Sequence, residues 1–584
     1  VWEAMNMAAM YQFKYLWEEE YKGGLPIIFN FFNNQYGMGG QTSGETMGYG
    51  MLARVGAGIN PEQMHAERVD GFNPLAVIDA MKRKKKVLEE NNGPVLLDVL
   101  TYRFSGHSPS DASSYRTKEE LQAWMDQDPL KVYKEDLIEA GVAQEDEISS
   151  IQEWVTELIT GICRLAIDDN KSPRINLNQN PNAIGDLMFS NERMEKMDDR
   201  EPEVLIPREE NPRVQQIQRK VRVGIENGKP VSKNRVYQLR DAIFEALLDK
   251  FYTDPTLIAY GEENRDWGGA FAVYRGLTES LPYHRLFNAP ISEAAIVGSA
   301  VGYALSGGRA VVELMYCDFL GRAGDEIINQ LAKWQAMSAG VLKMPVVLRV
   351  SVGSKYGAQH SQDWTALVAH IPGLKVVFPA TPADAKGLMT AALNGTDPVI
   401  FFESQRIYDL GEEFLPGGVP EGYYEIKIGE PDIKRPGKDI TILSIGAALY
   451  RVLKAADMLK EKYNISAEVI DARSIVPFDY TKVIESVKKT GRILIVGDAC
   501  ERNSVMKDMA ANIADLAFDY LDAPPVALGS RNWITPAHEY EEYFFPYPEA
   551  IIDCIHERIL PLEGHVPTHD FTDVAKTERL RRGV

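Results

Sequence analysis

Apolar and polar residues follow two kinds of pattern along this chain. Short apolar runs of strand length occur at 26–32 and 94–102, each after a turn containing glycine and proline. Around them, at 3–20 and 74–90, apolar residues recur every three or four positions, which is the spacing of one helical face. Strands separated by helices of this length predict a parallel sheet.

The same alternation returns twice after residue 235. In the second stretch we predict helices from 236 and at 293–304, 325–339 and 382–393, with strands ending near 262 and at 311–315, 345–350, 374–378 and 399–402. In the third stretch we predict strands at 440–443, 466–470 and 493–496, with helices at 449–463 and 481–489. The pattern therefore predicts an α/β protein with three doubly wound parallel-sheet domains.

Between the first two stretches apolar residues become sparse, while charged residues and prolines become frequent. This composition predicts an extended linker with a short helix near 213–223. The predicted organisation is a first domain at 1–165, the linker at 166–234, and further domains at 235–410 and 411–584.

Composition narrows the class of protein. The apolar content of 45% is that of an ordinary globular chain, and no apolar run is long enough to span a membrane. A net charge of −21, from 63 basic and 84 acidic residues, argues against nucleic-acid binding. Four cysteines without paired spacing indicate neither a zinc site nor a disulfide framework, so we expect a reducing, cytoplasmic compartment. The chain opens inside a helical pattern, so we expect its natural N-terminus to lie upstream of Val1.

The strand at 26–32 runs into Asn33, Asn34, Gln35, Tyr36 and Gly37. In parallel sheets ligands bind at the carboxyl ends of the strands, which is where these residues fall. An amide oxygen and a free backbone carbonyl there could complete the oxygen shell that Mg²⁺ requires. Taken alone, such a sequence is more often a simple turn.

Three further residues stand out by their settings. Glu293 begins a helix of small and apolar residues, which disfavours its charged form and would let it share a proton with a heterocycle nitrogen near neutral pH. His360 and His107 each lie in a polar loop after a buried strand. A glutamate at a helix start is as often structural, and a lone histidine is more often structural than catalytic. Neither the Gly-x-Gly-x-x-Gly fingerprint nor a P-loop is present, which disfavours direct NAD enzymes and P-loop kinases.

Together these motifs resemble the thiamine-diphosphate-dependent E1 component of the 2-oxo acid dehydrogenase complexes, with its α and β subunits fused in one chain. Residues 1–165 resemble the α subunit, and residues from about 235 resemble the β subunit. The α-like motifs are Asn33-Asn34-Gln-Tyr36-Gly, Arg68-Val-Asp-Gly and Tyr102-Arg-Phe-Ser-Gly-His107, and the β-like motifs are Gly261-Glu-Glu, Pro290-Ile-Ser-Glu293, Ala358-Gln-His360-Ser-Gln and Pro372-Gly-Leu-Lys-Val-Val.

The resemblance implies a transketolase-like fold and a role for each matched residue. Thiamine diphosphate would be held through Mg²⁺, bound by the Asn34 side chain and the Tyr36 carbonyl. Glu293 would protonate the aminopyrimidine of the cofactor, and Phe319 would pack on it. His360 and His107 would handle the substrate, a small 2-oxo acid or a hydroxyketone such as acetoin, and the acyl transfer to a lipoyl group of an E2 partner. A homodimer of fused chains is also implied.

One family feature falls outside this chain, and two alternatives stay open. The first Mg²⁺ ligand of the family, an Asp in a Gly-Asp-Gly turn, is expected just upstream of Glu3, so we expect this chain to be N-terminally incomplete. A transketolase or deoxyxylulose-phosphate-synthase relative would need a basic phosphate pocket for its sugar phosphates. A non-catalytic homologue would keep the fold, although retention of Asn34, Glu293, His107 and His360 argues against it.

Overall fold

The computed structural model describes residues 1–13, 24–59 and 64–584. The chain forms two compact units, Val1–Ala183 and Ile184–Val584. Within the described residues, no helix combines the length and the apolar character needed to cross a bilayer.

The first unit contains a three-stranded parallel sheet in the order β1-β3-β2. Strand β3 lies between the other two, so its side chains are nearly all buried, whereas both outer strands are partly exposed. The strands are β1 (Ile28–Asn33), β2 (His65–Asp70) and β3 (Val95–Leu100), and the helices around them are Trp2–Phe13, Ala53–Ile59 and Pro74–Glu89.

These bounds confirm the strands predicted at 26–32 and 94–102 and the helix predicted at 74–90. The first predicted helix is confirmed up to Phe13, and its remainder, 14–20, lies outside the described residues. Strand β2 was not predicted. Its sequence, HAERVD, has one buried side chain, Val69, so it lacks the apolar run that identified the other two strands.

Three helices follow the sheet. Thr117 and Asp128 cap the first two, since their side-chain oxygens accept from the backbone N–H groups of Glu120 and Leu130. The helices are Lys118–Met125, Pro129–Glu139 and Glu145–Ile167.

The segment predicted as a linker is largely irregular, and from residue 190 onward it is bonded to the second unit. The Met194 N–H donates to the Asn394 carbonyl and the Leu205 N–H to the Ser280 carbonyl, both at 2.8 Å. The short helix predicted near 213–223 is Pro212–Gln218, and it begins after the fully buried Asn211. A two-stranded ribbon follows, with β4 (Ile225–Glu226) and β5 (Lys229–Pro230).

The second unit contains a seven-stranded sheet in the order β15-β10-β11-β9-β8-β6-β7. All neighbouring strands are parallel except the antiparallel pair β10 and β15. Strand β15 follows β14 of the next sheet in sequence, so it ties the C-terminal residues to this sheet. The strands are β6 (Ile258–Glu262), β7 (Leu286–Ala289), β8 (Ala310–Leu314), β9 (Val346–Val352), β10 (Lys375–Val377), β11 (Val399–Ser404) and β15 (Ser474–Val476).

Helices cover both faces of this sheet, so its central strands are buried along their whole length. Leu239–Phe251 and Pro382–Asn394 pack against each other, while Glu293–Leu305 packs against the turn Cys317–Ala323. The helix predicted at 325–339 is interrupted. A π-helical turn, Glu326–Leu331, in which the Ala332 N–H reaches the Ile327 carbonyl, precedes the short helix Trp334–Met337.

A five-stranded sheet in the order β12-β14-β13-β16-β17 forms the C-terminal part. The three predicted strands are confirmed as its central strands, with β12 antiparallel at one edge and β17 parallel at the other. The strands are β12 (Asp432–Arg435), β13 (Ile440–Ser444), β14 (Ala467–Asp471), β16 (Ile493–Cys500) and β17 (Val526–Ser530), and the helices are Ala448–Tyr463, Thr481–Thr490, Val505–Leu516, Pro548–Arg558 and Asp573–Arg582.

Candidate active site

Glu293 lies at the carboxyl edge of the seven-stranded sheet. Strands β6 and β7 end side by side there, with Glu262 paired to Ala289. The chain then turns through Ser292 into the helix Glu293–Leu305, and the Glu293 side chain is 7% exposed. Ligands of parallel sheets bind at this edge, so Glu293 lies at an edge where a ligand could reach it.

Glu262 shares this edge with Glu293. Burial is the main cause that raises the pKa of Glu262 to about 7, and the negative charges of Glu293 and Glu313 contribute to the same rise. A carboxyl group with this pKa exchanges a proton readily at neutral pH. Sequence reasoning recognised Glu262 only as part of a motif. A carboxylate at the end of a predicted buried strand was the signal that could have identified it.

A buried ion network lies beside these carboxylates. Arg349 of β9 donates to Glu313 of β8 and to both oxygens of Glu403 of β11, each at 2.7 Å, and all three side chains are at most 7% exposed. The Tyr408 hydroxyl donates to Glu403 at 2.6 Å. Gly269, at φ +78°, leaves room for Glu313, since a Cβ there would lie 2.7 Å from its carboxylate. The network fixes the charges on neighbouring strands, and sequence reasoning missed it.

Phe319 and His360 lie together in an aromatic cluster. Their ring centroids are 5.7 Å apart in a T-shaped arrangement, and Tyr316 lies 4.6 Å from His360. Phe319 belongs to the turn Cys317–Ala323, which packs against the helix that begins with Glu293. The structure therefore gathers three of the predicted site residues on connected elements.

The histidine loop is held from three sides. The Cys317 thiol donates to the Gln362 carbonyl at 2.7 Å. The Lys355 N–H donates at 2.6 Å to Glu541, a residue of the C-terminal part that is 1% exposed. Gly353 passes so close to His360 that an added Cβ would lie 1.4 Å from its carbonyl oxygen. The imidazole is thus positioned by backbone contacts that a larger residue at 353 would break.

In the first unit, Asn34 and Tyr36 form the turn that follows β1. The Asn34 Oδ1 accepts from the Tyr36 N–H at 3.0 Å, and Gln35 between them has φ +62°. This turn fixes an amide oxygen at the carboxyl end of the strand, and an amide and a carbonyl oxygen fit the preference of Mg²⁺ for oxygen donors. Within the described ranges, His, Cys, Asp and Glu form no group of three or more that could hold a metal.

Asp98 supports this turn from below. Its fully buried carboxylate accepts from Asn33 Nδ2 and Arg68 Nε, both at 2.9 Å, and from the Leu52 and Ala53 N–H groups at the start of a helix. A buried carboxylate with this many donors is fully satisfied, so it locks β1, β2 and β3 in register near the turn.

His107 lies exposed on the loop that follows β3, in the same unit. Its backbone N–H donates at 2.7 Å to Asp111, which also accepts from the Ser113 N–H and the Tyr115 hydroxyl at 2.8 Å. These bonds hold the pKa of Asp111 at about 2, below its ordinary value of 3.8. Arg103 joins this loop to the turn that follows β1, since it donates to the Tyr115 hydroxyl at 3.0 Å and to the Gly37 carbonyl at 2.9 Å.

Three family models match consecutive parts of the chain. Residues 1–174 match the model described as dehydrogenase E1 component. Residues 236–409 match the pyrimidine binding domain of transketolase, and residues 429–551 match its C-terminal domain.

Curated relatives align with about half of the chain. It is 38% identical to the acetoin:2,6-dichlorophenolindophenol oxidoreductase subunit beta of Bacillus subtilis (strain 168), over 54% of this chain and 96% of the relative. It is 38% identical to the pyruvate dehydrogenase E1 component subunit beta of Rhizobium meliloti (strain 1021), over 54% of this chain and 68% of the relative. It is 37% identical to the 2-oxoisovalerate dehydrogenase subunit beta of B. subtilis (strain 168), over 54% of this chain and 97% of the relative.

One solved structure, a split gene transketolase described as an inactive beta4 tetramer, aligns at 21% identity with a TM-score of 0.45. That alignment covers 56% of this chain and 98% of the other. A likeness this loose carries no argument, and the α/β fold rests on the strand order described above.

Proposed function

Because this chain belongs to the dehydrogenase E1 family of thiamine-diphosphate-dependent enzymes, we propose that it decarboxylates a small 2-oxo acid or cleaves a hydroxyketone such as acetoin. We further propose that it passes the acyl group to the lipoyl group of an E2 partner. The observation that carries the proposal is that the charge of the buried Glu293 reaches Glu262 at the sheet edge, while the helix that begins with Glu293 packs against the turn of Phe319.

The carboxylate pair would perform the proton chemistry. When bound, thiamine diphosphate supplies a nucleophilic carbon and a cationic ring that takes up the electron pair released by bond cleavage. Glu293 would hold a proton at an aminopyrimidine nitrogen, and Glu262, with its pKa near 7, would exchange that proton. Phe319 would offer its ring face to the heterocycle, and His360 would move protons on the substrate.

The first unit would supply the metal contacts. The Asn34 side chain and the Tyr36 carbonyl would bind Mg²⁺, and the Asx turn that joins them supports this assignment. His107 would handle the substrate and the acyl transfer. Its loop is ordered by Asp111 and tied to the turn by Arg103, which supports a shared role for the two segments.

The assembly would be a homodimer of fused chains working in the cytoplasm. All four cysteines are free thiols, which supports a reducing compartment. Covalent fusion of the α-like and β-like parts would keep them at a fixed ratio and replace an interface between separate chains.

The test is dye-coupled turnover by the complete natural protein with thiamine diphosphate and Mg²⁺. Pyruvate, 3-methyl-2-oxobutanoate and acetoin should be compared, with 2,6-dichlorophenolindophenol as acceptor. Cofactor-dependent reduction with one of these substrates is the expected result, and reductive acylation of a lipoyl domain tests the partner. Turnover of sugar phosphates without a lipoyl or dye acceptor, or no turnover at all, would contradict the proposal.

A further inference from the structure

A cavity of about 390 Å³ lies in the C-terminal part, against the edge strand β17. One wall is apolar and includes Val526 and Leu528 of the strand together with Phe545. The opposite wall is formed by Phe571 and the helix Asp573–Arg582, which lie beyond the residues that the family models match. A cavity of this volume is large enough for a small organic ligand.

The lining of this cavity is basic, although the whole chain carries a net charge of −21. Six lining side chains are cationic, against two glutamates, Glu501 and Glu542. The cationic side chains are Arg502, Lys507, Arg531, Arg558, Lys576 and Arg579. A concave surface of one sign concentrates ligands of the opposite sign.

Four of these cations already have partners. Lys507 pairs with Glu501 at 2.5 Å, and Arg579 donates to the Asp570 carbonyl at 2.8 Å. Arg558 pairs with Asp573, and Arg502 donates to the Gly583 carbonyl. The last two contacts hold the ends of the helix Asp573–Arg582 beside the cavity, and Arg531 and Lys576 remain without a direct partner among the described residues.

Arg531 is the main uncompensated charge. Within the described part of the chain its half-buried guanidinium has no hydrogen bond and no carboxylate partner, and its one ring contact is with Phe571 at 5.5 Å. Arg579 lies 5.8 Å from the same ring and spends one donor on the Asp570 carbonyl at 2.8 Å. Burial lowers the pKa of Arg531 and the charge of Arg579 lowers it further, whereas the charge of Glu501 opposes both. Two guanidinium groups therefore repel each other beside one aromatic ring.

Lys576 adds a third cation without an ion pair among the described residues. Burial lowers its pKa, and so do the charges of Lys507 and Arg558, whereas Glu501 and Asp573 raise it. Like charges held close together in a half-buried cavity repel each other, and a bound anion would relieve that repulsion.

We propose that this cavity binds a small organic anion that carries a phosphoryl or carboxylate group next to an apolar or aromatic part. Planar guanidinium groups bind the oxygens of such anions in pairs, which suits Arg531 and Arg579. Phe571 and the β17 side chains would contact the apolar part. Glu293, Phe319 and His360 do not line this cavity. The anion would therefore be a second ligand, bound in addition to the substrate of the family reaction.

The test is isothermal titration of the full chain with phenyl phosphate and, separately, with inorganic phosphate. Phenyl phosphate should bind at one site and more tightly than inorganic phosphate. The double variant Arg531→Gln/Arg579→Gln should bind it at least about tenfold more weakly, since a hydrogen bond to a charged group contributes roughly 1.5–3 kcal/mol. Arg581→Gln is the matched control, because it removes an exposed charge from the same helix without lining the cavity.

Three outcomes would overturn the proposal. They are no saturable binding by the unmodified chain, equal binding by the double variant, and an equal loss in Arg581→Gln. Thermal unfolding gives a second readout: without anion, Lys576→Gln should leave the melting temperature unchanged or raise it, since it removes a repelled charge. A lower melting temperature for this variant would show that Lys576 is compensated within the chain, which also contradicts the proposal.

Discussion

Glu293 of the second unit and His107 of the first unit are held in different ways. Glu293 is 7% exposed, and the neighbouring Glu313, Arg349 and Glu403 are a closed set of ion pairs. His107 is exposed, and its loop is ordered by hydrogen bonds to Asp111 and from Arg116. Burial therefore fixes the glutamate proposed for proton chemistry, whereas hydrogen bonds within an exposed loop fix the histidine proposed for acyl transfer. Substitutions in the buried region should therefore change proton exchange and stability, whereas substitutions in the exposed loop should change only local amide exchange.

The largest expected effect is in the buried region. Glu293→Gln keeps the shape of the side chain but removes its ionisable proton. Exchange of the cofactor C2 proton, and turnover with it, should therefore fall by about 10²- to 10⁴-fold. NMR measures the proton exchange, and the melting temperature checks that the variant is folded. Glu279→Gln, an exposed carboxylate of the same part of the chain, should change neither quantity. Wild-type exchange in Glu293→Gln would remove Glu293 from the site.

Arg349→Met tests whether the buried ion network carries stability. It leaves Glu313 and Glu403 buried without their common partner, which should destabilise the second unit by roughly 3–5 kcal/mol. The shift of the urea unfolding midpoint, followed by circular dichroism, measures this. Arg275→Met, at an exposed position, should shift it little. Equal shifts in the two variants would show that the network is not what distinguishes this region.

Sequence patterns predicted the buried strands well, because β3, β9 and β11 are apolar runs, and motif resemblance indicated Glu293, Phe319 and His360. The proximity of Glu262 to Glu293 was not predictable, since it depends on β6 and β7 lying side by side with Glu262 opposite Ala289. Arg349 interrupts an apolar run, and only its neighbours on adjacent strands explain its burial. The roles of all six predicted site residues, Glu293, Phe319, His360, His107, Asn34 and Tyr36, stay predictions.

Glu262→Gln tests the electrostatic side of the comparison. Because the pKa of Glu262 is raised to about 7 from 4.5, folding favours its protonated form, and this stabilisation is lost as pH rises from about 4.5 through 7. The variant cannot ionise, so its stability relative to the natural chain should increase over that window by roughly 1–2 kcal/mol, less than the full shift implies because part of the side chain stays hydrated. Melting temperatures across pH 4 to 8 measure the difference. A stability difference that does not vary with pH would mean that burial and the acidic neighbours do not raise the pKa of Glu262.

The smallest effect is expected in the exposed loop of the first unit. The pKa of Asp111 is depressed to about 2, so its bonds are intact above 3.8 and are lost as pH falls through 2. Hydrogen exchange at the His107 and Ser113 amides should therefore accelerate in that acidic window, while the buried region keeps its protection.

Asp111→Asn keeps an acceptor oxygen but no charge, so exchange at these amides should become independent of pH there once intrinsic rates are removed. Asp136→Asn, on an exposed helix, is the control and should preserve the acidic transition. If exchange accelerates in both regions at the same pH, a single global event unfolds them, and local hydrogen bonds are not what hold the His107 loop.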